Sequence, residues 1–145
     1  MEYQSRKPTE LEEEELDGLL LSGLGILPIE DQSQPHFIFT AIHLLLEEIR
    51  KGTVLPSGLS IDDFCAQLGV VYGEQLCLAF GWDWIYLNIT GRYEGIAVAN
   101  SARNLVFFPI PSLFQWTKKS EQNRCMDLFT EIKNRKYGTD FQILH

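Results

Sequence analysis

The sequence predicts an α+β fold: N-terminal helices, a small antiparallel β-meander, and a C-terminal helix. Three observations carry that reading. Apolar residues recur at helical spacing through most of residues 9–81. The pattern then changes to strand-like segments rich in aromatic and β-branched residues over 82–110. Helical spacing returns over 112–137. The 145 residues fit one domain, with residues 1–8 read as a loose arm.

Thr9 opens the first helix. Thr9-Glu10-Leu11-Glu12 is a capping box, with Glu12 at the third helical position. Glu12, Glu13, Glu14, Glu15 and Asp17 fill the first turns, where the helix dipole favours negative charge. The helix fades around 21–25, and Pro28 closes it. A second helix spans 35–51, with Pro35 suited to its first position and Gly52 to its stop. Phe39, Ile42, Leu46 and Ile49 form its apolar face. Residues 54–59, containing Pro56 and Gly58, read as a loop.

Ser60 caps the third helix, and Asp62 and Asp63 lie in its first turn. Ile61, Phe64, Leu68 and Tyr72 make one apolar stripe. Cys65, Gly69, Gly73 and Cys77 make another, built only of small residues at spacing four. A glycine inside a helix costs about 1 kcal/mol against alanine. The row therefore predicts close approach of another backbone. Gly81 ends this helix.

The strand at 83–89 turns Trp84 and Tyr86 to the same side as Trp82, and Ile85, Leu87 and Ile89 to the other. Two apolar faces predict a central strand covered on both sides. Turns at 90–93 and 101–104 separate further strands at 95–99 and 105–108, stopped by Pro109 and Pro111. Such short connections imply antiparallel pairing. The last helix spans 120–136, with Cys125, Leu128, Phe129 and Ile132 as its apolar face.

The formal net charge is −8, which argues against free nucleic acid as a partner, because binding phosphate needs a basic face. The charge is uneven. Residues 1–65 hold 13 acidic and 4 basic side chains, a balance of −9, whereas residues 66–145 hold 7 and 8, a balance of +1. Three cysteines without a CxxC pair argue against a disulfide framework or a zinc site, and reduced buried thiols point to the cytoplasm. The Leu-rich stretch at 18–29 follows acidic rather than basic residues and is broken by glycines and Pro28, unlike a signal peptide. No uncharged run reaches the roughly 18 residues of a membrane span.

Each candidate for chemistry meets a plainer reading. His36 and His43 share a helix face but stand seven apart, where metal ligands on a helix stand three or four apart. Cys65, Cys77 and Cys125 sit at apolar or small-residue positions, as inert thiols do. Glu74 is a candidate acid or base near the sheet, or a pin for strand groups. No phosphate loop, GxSxG or HExxH appears. The acidic run reads either as a solvated helix start or as a docking face for a basic protein. Trp82 and Trp84 fit the core. Trp116, beside Lys118-Lys119, is expected at a surface edge, where tryptophan anchors partners.

Gly69-Val70-Val71-Tyr72-Gly73-Glu74-Gln75-Leu76, followed by Gly81-Trp82-Asp83-Trp84 and the later Phe108-Pro109 step, resembles a group of small bacterial domains of unknown function. In these a GxxxGExL helix leads into a GWxW strand. The resemblance covers residues 60–117 and leaves the acidic helix outside. Some such domains stand near polymorphic-toxin genes, which implies a toxin-immunity role. The expectation is therefore a non-enzymatic, cytoplasmic protein-binding protein that neutralises a cognate toxin by contact. The alternatives are an adaptor domain without a toxin partner and a small enzyme using Glu74. Glu12, Glu13, Glu14, Glu15, Asp17 and Trp116 are the candidate partner-binding residues. The expected partner is a basic protein, with no nucleic acid, membrane, metal or cofactor.

Overall fold

The computed structural model describes residues 2–28, 34–53, 55 and 58–145. In chain order the elements are β1 (Tyr3–Arg6), α1 (Glu10–Ile26), α2 (Pro35–Arg50), α3 (Ile61–Phe80), β2 (Asp83–Ile89), β3 (Tyr93–Ala99), β4 (Leu105–Phe107), α4 (Pro109–Trp116), α5 (Cys125–Asn134) and β5 (Gln142–Leu144). The fold is α+β, with a mixed five-stranded sheet in the order β1-β2-β3-β4-β5. Part of the loop expected at 54–59 lies outside the described residues.

The cap signals act as their chemistry dictates. Thr9 Oγ1 accepts from Glu12 N at 3.2 Å, and Glu12 Oε1 accepts from Thr9 N at 2.9 Å, so both halves of the box form. Ser60 caps α3 through Asp63 N. Gly81 ends α3 at φ +69°, a left-handed conformation that glycine adopts without a Cβ clash.

Four expectations need correction. Residues 3–6 are no loose arm but an edge strand, paired antiparallel with β2 from Tyr3↔Ile89 to Arg6↔Tyr86. All four residues are exposed, so no burial pattern marks the strand in the sequence. The sheet is not purely antiparallel, because β5 runs parallel to β4 after a crossover through α4 and α5. Pro109 and Pro111, read as ending a strand, also begin a helix: Pro109 occupies the first position of α4, where its missing N–H has no bond to make. The final helix starts at Cys125 rather than near 120.

The small-residue row on α3 meets a close neighbour, as expected. A Cβ on Gly69 would lie 2.9 Å from Ile110 Cα on α4, and one on Gly73 would lie 2.5 Å from Trp84 Cη2. A third tight glycine, Gly23 on α1, faces the Gln67 carbonyl oxygen at 2.5 Å from its notional Cβ. These glycines let α1 and α4 seat against opposite flanks of α3. Tyr72 is fully buried at the core, edge-on to Phe39 and Trp116, and its hydroxyl donates to the Cys125 carbonyl at 2.7 Å.

The sheet covers its own second face. In a flat sheet the first and fifth strands would stand roughly 19 Å apart. Yet the rings of Tyr3, in β1, and Phe141, just before β5, stack with centroids 4.2 Å apart. The sheet is therefore strongly curled. Ile85, Leu87, Ile89, Ala97, Ala99, Val106 and Phe108 form a second apolar cluster on the inner side of the curl. β2 buries Ile85, Leu87 and Ile89 on this inner face, but on the other Trp84 and Tyr86 are half-buried and Asn88 is exposed, so the cover expected on both sides is complete on only one.

Candidate functional site

The strongest candidate site is a cleft of ≈ 580 Å³ where α1, α3 and the start of β2 meet. Helical spacing decides which acids reach it. Glu13 and Asp17, like Leu16 and Leu20, stand four residues apart on α1, and all four line the cleft. α3 contributes Val70 and Glu74, and β2 contributes Asp83 and Trp84. Lys7, Pro8 and Arg103 complete the wall.

Glu74 is fixed by the strand that follows its helix. Its Oε2 accepts from Trp84 Nε1 at 2.9 Å. Trp84 itself is held by Gly73, whose lack of a side chain admits the indole ring. The GE pair and the second tryptophan of GWxW thus form one unit: the glycine makes room, and the glutamate orients the ring. Glu74 pins a strand side chain rather than strand backbone.

The opposite wall is a turn under strain. Arg103 has φ +61°, a left-handed conformation costing a non-glycine residue about 1–3 kcal/mol. Asn100 holds the turn by accepting from the backbone N–H groups of Asn104 and Leu105, both at 3.1 Å. The Arg103 guanidinium donates to the Asn100 carbonyl at 2.9 Å and to Asp83 Oδ2 at 3.1 Å. Arg103 and Asp83 therefore satisfy each other. The side-chain carboxylates of Glu13 and Asp17 and the second oxygen of Glu74 have no hydrogen-bond or ion-pair partner among the described residues. The cleft can thus offer carboxylate oxygens to a cationic group.

The acidic run divides into three roles. Glu12 faces β1, where its two oxygens accept from the Arg6 guanidinium at 2.7 and 3.2 Å. That guanidinium, with the Thr9 N–H, draws the Glu12 carboxyl down to about 2. Glu13 and Asp17 enter the cleft. Glu14 and Glu15 are exposed and stand outside its lining.

Trp116 is not at a surface edge. It is 4% exposed, edge-on to Tyr72 and stacked on Phe107 at 5.9 Å. The neighbouring Lys118-Lys119 do not mark exposure of the tryptophan, because α4 ends directly after it and the lysines belong to the next turn. Trp82 is in the core as expected, and Trp84 is half-buried. Burial pushes the Cys65 and Cys77 thiols up to about 12 and raises Cys125 as well. His36 and His43 share α2. Among the described residues, no three His, Cys, Asp or Glu side chains group to hold a metal ion, and no helix is long and apolar enough to cross a membrane. The sequence reading missed Lys7, Asp83 and Arg103. No family model matches this chain, and neither the curated proteins nor the solved structures searched contain a match.

Proposed function

We propose that this is a non-catalytic protein-binding protein whose acidic cleft receives a basic side chain of its partner. The observation that carries the reading is convergence: Glu13 and Asp17 from α1 meet Glu74 from α3 around one cavity. A lysine or arginine side chain entering there exchanges water for charge-assisted hydrogen bonds. The remaining acids of α1 widen the negative field and steer a basic partner toward the cleft. The partner is a toxin domain, following the resemblance to immunity-associated domains, and inhibition is steric occlusion of its basic working face. The test is to recover the partner by co-purification, identify it, and follow association against ionic strength. On-rates fall as salt rises if charge steers the encounter. A salt-independent on-rate contradicts the proposal.

The size of the cleft favours a second reading, since it falls within the usual range of small-molecule sites, about 300–1,000 Å³. Glu74 would then act as acid or base on a cationic substrate. That reading predicts turnover abolished by Glu74→Gln while partner binding persists.

A further inference from the structure

A second depression, of ≈ 260 Å³, opens where the inner side of the curled sheet meets α4. Ile89, Phe108 and Ile143 belong to the inner apolar cluster and line its base. The Tyr93 ring forms a wall, edge-on to Phe108 at 4.3 Å. It can fold there because Gly95 offers no Cβ; an added one would lie 3.2 Å from the ring. The exposed Arg92 and the half-buried Ser112 lie on the polar side of the lining, together with Gln115 and His145. Neither the Arg92 nor the Ser112 side chain has a hydrogen-bond or ion-pair partner among the described residues, and no aspartate or glutamate lines the groove.

We propose that this groove binds a small monocarboxylate with an aromatic or branched aliphatic body. The apolar base takes the body out of water. Arg92 presents a planar fork that matches a carboxylate in two hydrogen bonds, and the Ser112 hydroxyl is a further donor. Charge selects the class. With no aspartate or glutamate in the lining, a cationic ligand finds no acidic side chain to pair with. Arg92 is the one arginine of the lining, and its single planar fork matches a single carboxylate. The groove is separate from the acidic cleft and shares no lining residue with it.

The experiment is an amide chemical-shift titration of the full chain with 3-phenylpropanoate, its neutral amide 3-phenylpropanamide, and 2-phenylethylamine. The carboxylate is expected to give saturable shifts at Arg92, Tyr93, Ser112 and Ile143. The amide is expected to bind about tenfold more weakly or worse, through loss of the charge-assisted pair. Arg92→Gln should erase that difference, Ser112→Leu should fill the groove and abolish binding, and Glu13→Gln should leave binding unchanged. Equal binding of carboxylate and amide would show a merely apolar groove and overturn the proposal. So would stronger binding of the amine, shifts mapping to the acidic cleft, or no saturable shift from any probe.

Discussion

α1 and α3 begin alike and are built for different work. Each starts on a hydroxyl cap, carries acids in its first turn, and contains glycines. α3 buries ten residues, and both of its interior glycines are jammed against neighbours. α1 buries only Leu16 and Gly23, while Gly18 and Gly25 face open space. A glycine in α3 is therefore a packing requirement, whereas two of the three in α1 are conformational weaknesses in a surface helix. α3 is the scaffold to which α1, α4 and the sheet attach. α1 is a charged wall laid against it, and the cleft is the seam between them.

The contrast is tested most severely at Gly73. Gly73→Leu must displace the Trp84 ring and Pro109, and we expect a loss of about 1–3 kcal/mol or more from overpacking. Chemical denaturation measures it, and wild-type stability would mean that the ridge is loosely packed. Tyr72→Phe keeps the ring contacts but removes the side-chain donor to the buried Cys125 carbonyl, which keeps its helical bond as the first residue of α5. Its expected cost is about 0.5–1.5 kcal/mol, read from the same denaturation midpoint.

Gly18→Ala should act in the opposite direction. Nothing lies within 4 Å of its notional Cβ, so alanine gains helix propensity at no steric cost, raising stability by about 0.5–1 kcal/mol. A loss of stability there would reveal a contact on the outer face of α1. The smallest effect concerns Glu12. Its folded carboxyl titrates at about 2, below the ordinary value of 4.5. Its contribution is thus present above the unfolded pKa and lost as pH falls from about 4.5 through about 2. Carboxyl NMR titration checks this, and Arg6→Gln should move the midpoint back up. An ordinary midpoint in the wild type would show that β1 is not clamped to α1.

Local chemistry made much of this legible in the sequence. The Thr9 box, the Ser60 cap, the Gly81 stop and the glycine row fixed α1 and α3, because each signal acts within a few residues. The alternation over 83–89 fixed β2. What escaped depends on distant partners. β1 is polar and exposed and becomes a strand only because β2 offers an edge. β5 is three residues long and pairs in parallel after a long crossover. The cleft was half visible: the acidic run and Glu74 were singled out separately, but nothing local says that they face each other. Arg103 gave no signal, since a left-handed turn position ordinarily favours glycine or asparagine. Trp116 lies in the core despite its charged neighbours, because the charge on Lys118 and Lys119 does not fix which way a helical side chain two residues earlier faces.

In the proposed function the cleft-facing acids, rather than the run as a whole, engage the partner. The most direct measurement compares two sets of neutralising substitutions against the identified partner at low and physiological salt. One is Glu13→Gln, Asp17→Asn and Glu74→Gln together; the other is Glu14→Gln with Glu15→Gln. Denaturation midpoints of both variants establish that each is folded. The cleft-facing set is expected to speed dissociation and weaken binding by about tenfold or more, while the outward pair only slows association modestly and does so less as salt rises. Equal losses from the two sets, or a loss confined to the outward pair, would contradict the proposed function.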